Sequence, residues 1–359
     1  MNKIVVSGYY GFDNLGDEAA LAGILHGLTR KNKNLDFTIL SNNPVQTQKR
    51  FQVNSISRTD IVKIIQILYK SDFFINGGGS LLQDVTGWKS IPYYLGLSYA
   101  ARFLKNKLIF YGQGIGPIRS EMNRKMVKFV LNRADLITVR DKNSHNFLEN
   151  EGIKGEIYET VDPVFNFTPS YIKNKFNRKD NTYFSGTKGP IIGVSVRPWE
   201  NNYIKQIVKI VDNFVNKIGG KVYIIPFHQV EDREISKNLN DMLSVDSCIV
   251  KGISEPAEML YLFSGFDFII GVRLHSLIFA ALNHVPFFGI SYDPKVKGFI
   301  DSLKLNNYID IKNCKLNFLN DIIDIWENKN EYISLLKKET LKLHKKAEQN
   351  IELVLKMIH

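Results

Sequence analysis

The chain has 359 residues, 44% hydrophobic and 23% charged, and a formal net charge of +11. That length holds two domains of ordinary size, and that composition excludes disordered, collagen-like and coiled-coil chains. The opening MNKIVVSGYY has too short an apolar run for a signal peptide, and no window approaches about 18 uninterrupted apolar residues. Its two cysteines, Cys248 and Cys314, form neither a disulfide framework nor a zinc site, so a reduced, cytoplasmic setting is expected. The basic excess reads as a lysine-rich solvated surface, or as attraction to an anionic substrate or an anionic membrane. Nucleic acid is set aside, because the basic residues are dispersed and no nucleic-acid-binding motif is present.

Lys3–Ser7 reads as a strand, followed by a loop with Gly8, Gly11, Asn14, Gly16 and Asp17, then a helix through Ala19, Leu21, Ile24 and Leu28. The glycine spacing is neither the dinucleotide fingerprint nor a Walker A loop, which leaves a tight turn or a ligand loop. Phe37–Leu40 is a second strand, and Ile61–Leu68 has helical spacing. Asp72–Asn76 is a third strand running into Gly77, Gly78, Gly79 and Ser80, where backbone amides can approach a ligand. Gln83, Asp84 and Trp88 follow, then Tyr93 and Tyr94. That mixture suits a sugar face, and ordinary packing of Trp88 is an equal reading. Leu108–Tyr111 is a strand before another glycine-rich loop, Met122–Leu131 a helix, and Leu136–Val139 a strand closing with Arg140. Arg140 is either the ion-pair partner of Asp141 or an anion ligand.

Residues 166–189 are polar and aperiodic and read as a linker. The alternation then restarts. Pro190–Val196 is a strand ending in Arg197, and Tyr203–Ile218 a helix. Val222–Pro226 is a strand before His228, Cys248–Val250 another, and Glu255–Phe263 a helix. The stretch Phe266–Lys297 is a strand, a polar cluster of Arg273, His275 and Ser276, a helical run and a strand ending at Tyr292, Asp293 and Lys295. An arginine, a histidine and two lysines at strand ends, beside helix N-termini, point to a small, strongly anionic ligand. His284 lies within an apolar run and reads as structural, while His228 stays undecided. Tyr308–Ile311 is a last strand. From Phe299 onward there is no glycine or proline, and Ile333, Leu336, Leu343, Ala347, Ile351, Val354 and Ile358 mark one stripe of a long amphipathic helix.

Two consecutive α/β halves imply two doubly wound, Rossmann-type domains facing a cleft, with the last helix crossing back to the first: a GT-B-like arrangement. The expected boundaries are 1–165, a linker at 166–189, 190–330, and a C-terminal helix at 331–359.

The segments GYYGFDNLGDEA (8–19), FFINGGGSLLQD (73–84), YGQGIGPI (111–118), TVRD (138–141), GVSVRPW (193–199), IPFHQ (225–229) and GVRLHSLIFAALNHVPFFGISYDPKVKGF (271–299) together resemble the polysaccharide pyruvyltransferase family, in particular its CsaB type. The resemblance implies transfer of pyruvate from phosphoenolpyruvate onto two hydroxyls of a sugar. For the CsaB type it implies a 4,6-ketal on β-N-acetylmannosamine of a lipid-linked secondary cell-wall polymer precursor, which retains S-layer proteins through SLH domains. It makes residues 190–330 the donor domain and 1–165 the acceptor domain.

A compact dianion with a carboxylate suits guanidinium recognition. Arg140, Arg273 and Lys295 are the expected clamp, Arg197 a fourth member, with His275 and Ser276 beside them; Arg140 is expected to reach this pocket from the first half. His275 is the expected acid or base, and Arg273 and Arg140 stabilise the transferring group. Asn14, Asp17, Gly78, Gly79, Gln83, Asp84 and Trp88 are the expected acceptor ligands. No cofactor and no metal are expected, since no DxD or metal-ligand spacing occurs. Three other readings stand beside this one: a nucleotide-sugar glycosyltransferase of the same fold, a non-catalytic sugar- or anion-binding protein, and a membrane-surface scaffold. A basic-apolar run, Arg102–Lys107, adds the inner face of the cell membrane as an expected partner, and the reading leaves room for an oligomer.

Overall fold

Alternating strands and helices build two parallel sheets, each the centre of its own compact unit. The computed structural model describes every residue except 85–86, 88–89, 168–181, 200–202, 312–317 and 359. One unit comprises Met1–Phe167 with Leu343–His359, the other Thr168–Lys342.

The first unit contains β1 (Asn2–Ser7), α1 (Leu15–Lys31), β2 (Leu35–Ser41), α2 (Pro44–Phe51), β3 (Asn54–Ser57), α3 (Ile61–Tyr69) and β4 (Phe73–Asn76). It continues with β5 (Gly79–Leu82), α4 (Ser90–Phe103), β6 (Lys107–Ile115), α5 (Glu121–Leu131), β7 (Leu136–Val139), α6 (Lys142–Asn150) and β8 (Ile157–Glu159). The strand order is β3-β2-β1-β4-β6-β7-β8, with β5 also paired to β6, and the pairings are parallel. In β4 all four residues are buried, and Phe73, Phe74 and Ile75 present apolar side chains to both faces because helices cover both sides.

The second unit contains β9 (Ile191–Ser195), α7 (Tyr203–Ile218), β10 (Lys221–Ile224), α8 (Asp232–Met242), β11 (Ser247–Ile249), α9 (Pro256–Phe263) and β12 (Phe268–Gly271). After these come α10 (Leu274–Leu282), β13 (Phe287–Ser291), α11 (Pro294–Ser302), β14 (Tyr308–Asp310), α12 (Leu319–Glu327) and α13 (Lys329–Ile358). The order is β11-β10-β9-β12-β13-β14, again parallel. Both sheets reverse their direction of growth once, between β1 and β4 and between β9 and β12. Those are the topological switch points where open α/β sheets bind ligands.

Helix α13 divides between the units. Its last turns, from Leu343, belong to the first unit, where Ile351 and Val354 join the core of β1, β2 and α1. Asn350 accepts a hydrogen bond from the Thr138 hydroxyl at 2.9 Å, and Lys346 pairs with Glu159 at 2.5 Å.

Several elements lie outside the sequence reading. α2, β3, α4 and β8 are short or carry irregular apolar spacing, and α4 has Pro92 in its first turn. Gly79–Leu82, where the sequence reading placed no strand, is a strand beside β6. Asn166, placed at the start of the linker, is buried in the first unit and donates to the Gly23 carbonyl and the Tyr111 hydroxyl, each at 3.2 Å. At the other end of that stretch, Thr187 shares a hydrogen bond with Tyr223 of the second unit.

Candidate active site

In the second unit the polar residues gather at the carboxyl ends of four adjacent strands, β10, β9, β12 and β13. Arg197 follows β9, Phe227 and His228 follow β10, Arg273 follows β12, and Tyr292 and Lys295 follow β13. Arg273 is the residue before α10. Its Nε bonds Asp232 Oδ2 at 3.1 Å, its Nη2 bonds Asp232 Oδ1, and Glu231 lies 3.7 Å away. Asp232, fully buried at the start of α8, also accepts the backbone N–H groups of Phe227 and His228 at 3.0 and 2.9 Å. Burial would lower the pKa of Arg273, but the Asp232 carboxylate outweighs it, so the guanidinium is held charged. Asp232 therefore ties the β10 loop to the β12 loop. The sequence reading gave Asp232 no part in the site.

Arg197 is in different company. Its Nη1 donates to the Tyr292 hydroxyl at 2.6 Å, and its guanidinium lies 4.7 Å from the Tyr292 ring centre. Its Nε is buried without a hydrogen-bond partner, and it forms no ion pair among the described residues. Lys295 Nζ lies 5.7 Å from the same ring and 3.3 Å from Asp293. Burial would raise the pKa of Tyr292, but Lys295 and Arg197 outweigh it and hold the phenol below its ordinary value. The Trp199 ring packs against Tyr292 with ring centres 5.0 Å apart.

His275 lies in the first turn of α10 with Nε2 enclosed. Ser276 is buried, and its hydroxyl donates to the Arg273 carbonyl at 2.6 Å. A Cβ on Gly271 would lie 2.5 Å from Ser276 Oγ, so a glycine there lets α10 start close to β12. His228 is buried; its Nδ1 accepts from the Glu231 N–H at 3.3 Å, which commits it to the turn before α8. His284, at φ 57, terminates α10.

In the first unit the glycines of the β1 and β4 loops make room for internal groups. A Cβ at Gly77 would fall 2.2 Å from the Tyr10 hydroxyl, and one at Gly8 equally close to the Tyr10 ring. At Gly78 it would meet Pro163, and at Gly79 (φ +103) it would lie 2.7 Å from Asp17 Oδ1. Asn14 caps α1, accepting from the Gly16 N–H at 3.1 Å. Asp84 accepts from the N–H groups of Arg119 and Ser120, each at 2.9 Å, and from Asn123 at 3.2 Å. Burial would raise the Asp84 pKa, but these donors outweigh it and lower it. Gln83 follows β5, and Trp88 lies outside the described residues. Arg140 is buried in this unit. It lies against Asp141 at 3.3 Å, Asp162 at 3.5 Å and Ser80 at 2.8 Å, so both open readings of its role begin from an ion-paired guanidinium.

Two further features of this unit escaped the sequence reading. Glu18 is fully buried, accepts the Gly11 N–H at 2.7 Å and pairs with Arg50 at 3.3 Å; burial, against those two partners, pushes its pKa from 4.5 up to about 7. Arg58, just past β3, lies 5.0, 4.3 and 5.5 Å from the ring centres of Phe12, Tyr93 and Tyr94. Nothing in the linear sequence links those four residues; only the fold does.

Two Rossmann-like units of this kind define the GT-B class of α/β protein. The chain is similar over 99% of its length to the whole UDP-GlcNAc 2-epimerase of Neisseria meningitidis bound to UDP-GlcNAc (TM-score 0.64, 14% identity). It is equally similar over 99% of its length to the whole of HepE from Anabaena in complex with UDP-glucose (TM-score 0.64, 13% identity). At those identities the likeness is one of fold. The family identity comes from the sequence: the polysaccharide pyruvyl transferase family profile matches residues 14–294, and the chain belongs to that family of transferases. It is also 21% identical over 364 aligned positions to the amylovoran biosynthesis protein AmsJ of Erwinia amylovora, covering 84% of this chain and 86% of the relative.

Proposed function

We propose that the chain takes the pyruvyl group from phosphoenolpyruvate and installs it as a cyclic ketal on two hydroxyls of a sugar in a polysaccharide precursor. The observation that carries this is the cationic cluster after β9, β12 and β13, with Arg197 free of any carboxylate among the described residues. A small phosphorylated carboxylate fits such a cluster, since an ionised acceptor gains most from an unneutralised guanidinium. Arg197 and Lys295 are assigned to the donor anion. Arg273, already clamped by Asp232, supplies positive charge from a fixed position, with His275 and Ser276 at the adjoining turn.

The reaction balances without another reagent. One sugar hydroxyl adds to C2 of the enol, and a proton is delivered to the methylene carbon, which becomes a methyl group. The second hydroxyl then displaces phosphate from C2, closing the ketal. Two hydroxyl protons are lost; one is balanced by the new methyl C–H and one leaves with phosphate. His275 is assigned to this proton handling, a role a histidine can fill in either direction near neutral pH. The first unit is assigned the acceptor. Asn14, Asp17, Gly78, Gly79, Gln83, Asp84 and Trp88 are its candidate ligands, and Arg58 with its aromatic surround is an addition to that set. The finer assignment follows the CsaB resemblance: a 4,6-ketal on β-N-acetylmannosamine of a lipid-linked secondary cell-wall polymer precursor, made in the cytoplasm and supporting S-layer attachment. No metal or cofactor enters the scheme.

The test is incubation with phosphoenolpyruvate and an N-acetylmannosamine-containing acceptor, with phosphate release and acceptor mass followed together. Acceptor-dependent phosphate release with the mass of one added pyruvate ketal is expected. Transfer of a sugar from a nucleotide sugar, with no reaction of phosphoenolpyruvate, would replace this reading by the glycosyltransferase one.

A further inference from the structure

Helices α3, α4 and α5 bury their inner faces in a single core against one side of the first sheet, through Ile64 and Leu68, Leu95 and Ala101, and Val127 and Leu131. Their outer faces therefore point the same way, away from the sheet. Those faces are unusually apolar. On α3, Val62, Ile65 and Tyr69 recur at i, i+3 and i+7, with Val62 69% and Tyr69 78% exposed. On α4, Tyr99 and Phe103 lie one turn apart, Phe103 77% exposed. On α5, Met122 and Phe129 are exposed, and Phe129 meets Tyr99 with ring centres 5.5 Å apart, joining the two helices into one surface. An amphipathic helix of a soluble domain carries polar residues on its outer side. Here three neighbouring helices break that rule on the same side, and contiguous exposed apolar surface of this kind marks an interaction site.

The charge around it has one sign in excess. Arg102 and Lys107 share a single carboxylate, Asp135, at 3.9 and 3.2 Å. Lys63 and Lys125 have intrahelical partners, Asp60 and Glu121. Lys70, Lys105 and Lys128 have no carboxylate partner among the described residues, and Arg133 lies over the Phe129 ring at 3.7 Å. Exposed aromatic and aliphatic side chains interleaved with unneutralised lysines match the two layers of a negatively charged bilayer surface, headgroups outside and acyl chains beneath.

We propose that the outer face of the α3–α4–α5 layer docks this protein on an anionic lipid bilayer, Val62, Tyr69, Phe103 and Phe129 entering the interface and Lys70, Lys105 and Lys128 pairing with lipid headgroups. The inference is independent of the transfer chemistry and of the donor. It extends the short Arg102–Lys107 run visible in the sequence to a surface of three helices, and it moves the electrostatic weight away from Arg102 and Lys107, which are partly neutralised.

Flotation of the full chain with phosphatidylglycerol or phosphatidylcholine vesicles tests it. The protein should float with phosphatidylglycerol vesicles, stay behind with phosphatidylcholine, and be released by high salt. Val62→Ser/Tyr69→Ser/Phe103→Ser should weaken binding by about tenfold or more, and Lys105→Gln alone by about fivefold. Unchanged circular dichroism would show that these exposed substitutions leave the fold intact, with Phe103→Ser alone as the milder control. Failure of the wild-type chain to float with phosphatidylglycerol overturns the proposal, as does flotation of the triple variant at wild-type level. A wild-type dimer that the triple variant dissolves, without vesicle binding, also overturns it and makes the face a contact between two copies.

Discussion

Arg197 and Arg273 stand at neighbouring strand ends, yet one carries an exposed demand for an anion and the other an internal one. Arg273 is satisfied by Asp232, while Arg197 has only a phenol and a ring. Arg197→Ala should therefore lower kcat/KM for phosphoenolpyruvate by about 10- to 100-fold, the worth of a hydrogen bond to a charged group, with little change in thermal stability. Asp232→Ala should do the reverse first. It strands a buried guanidinium and two backbone N–H groups, and should destabilise the protein by about 3–5 kcal/mol in urea denaturation. Glu18 sets a pH signature in the first unit. Its folded pKa, about 7, is raised above the ordinary 4.5, so its contribution is full below pH 4.5 and is lost as pH rises through 7. The stability of the wild type relative to Glu18→Gln should fall over that window; a difference that stays flat or grows with pH would contradict the burial argument.

At the scale of elements, the strands and the helices with clean periodicity were legible in the sequence, because both faces of each parallel sheet are covered and the strands read as apolar runs. Ile61–Tyr69, Tyr203–Ile218 and the RLHS turn fall where spacing and polar breaks predict them. α4 was not legible, because Pro92 and two tyrosines masked its first turn. Nor were the partners of the site residues. Asp232 lies 41 residues before Arg273, and the Arg58 ring cluster draws on two loops and helix α4. The glycines were visible but their reason was not: Gly8 and Gly77 accommodate Tyr10, a relation only packing reveals. Gly271→Ala tests this at the donor-side turn. The added methyl group meets Ser276 and Leu277, and should cost about 1–3 kcal/mol and displace the α10 turn that carries Arg273 and His275. A variant of wild-type stability and activity would show that the close approach of α10 to β12 is dispensable.

For the whole molecule, the two-sheet plan follows from two runs of βα alternation, and the end of the chain completes the first of them. Ile351 is fully buried against α1 and the first sheet although only eight residues follow it in the sequence. Ile351→Ala should cost about 2–5 kcal/mol, and hydrogen exchange should accelerate in β1, β2 and β6 while β9 and β12 keep their protection. Uniform acceleration in both units would mean that they unfold as one. The chemistry is tested most directly by nuclear magnetic resonance of phosphoenolpyruvate labelled at C2, turned over with an N-acetylmannosamine-containing acceptor. The labelled enol carbon should become a ketal carbon coupled to the sugar, in step with phosphate release, and His275→Ala should slow this by about 100-fold or more. An enol signal that persists unchanged with the active protein, or a label that appears only in free pyruvate, would contradict it.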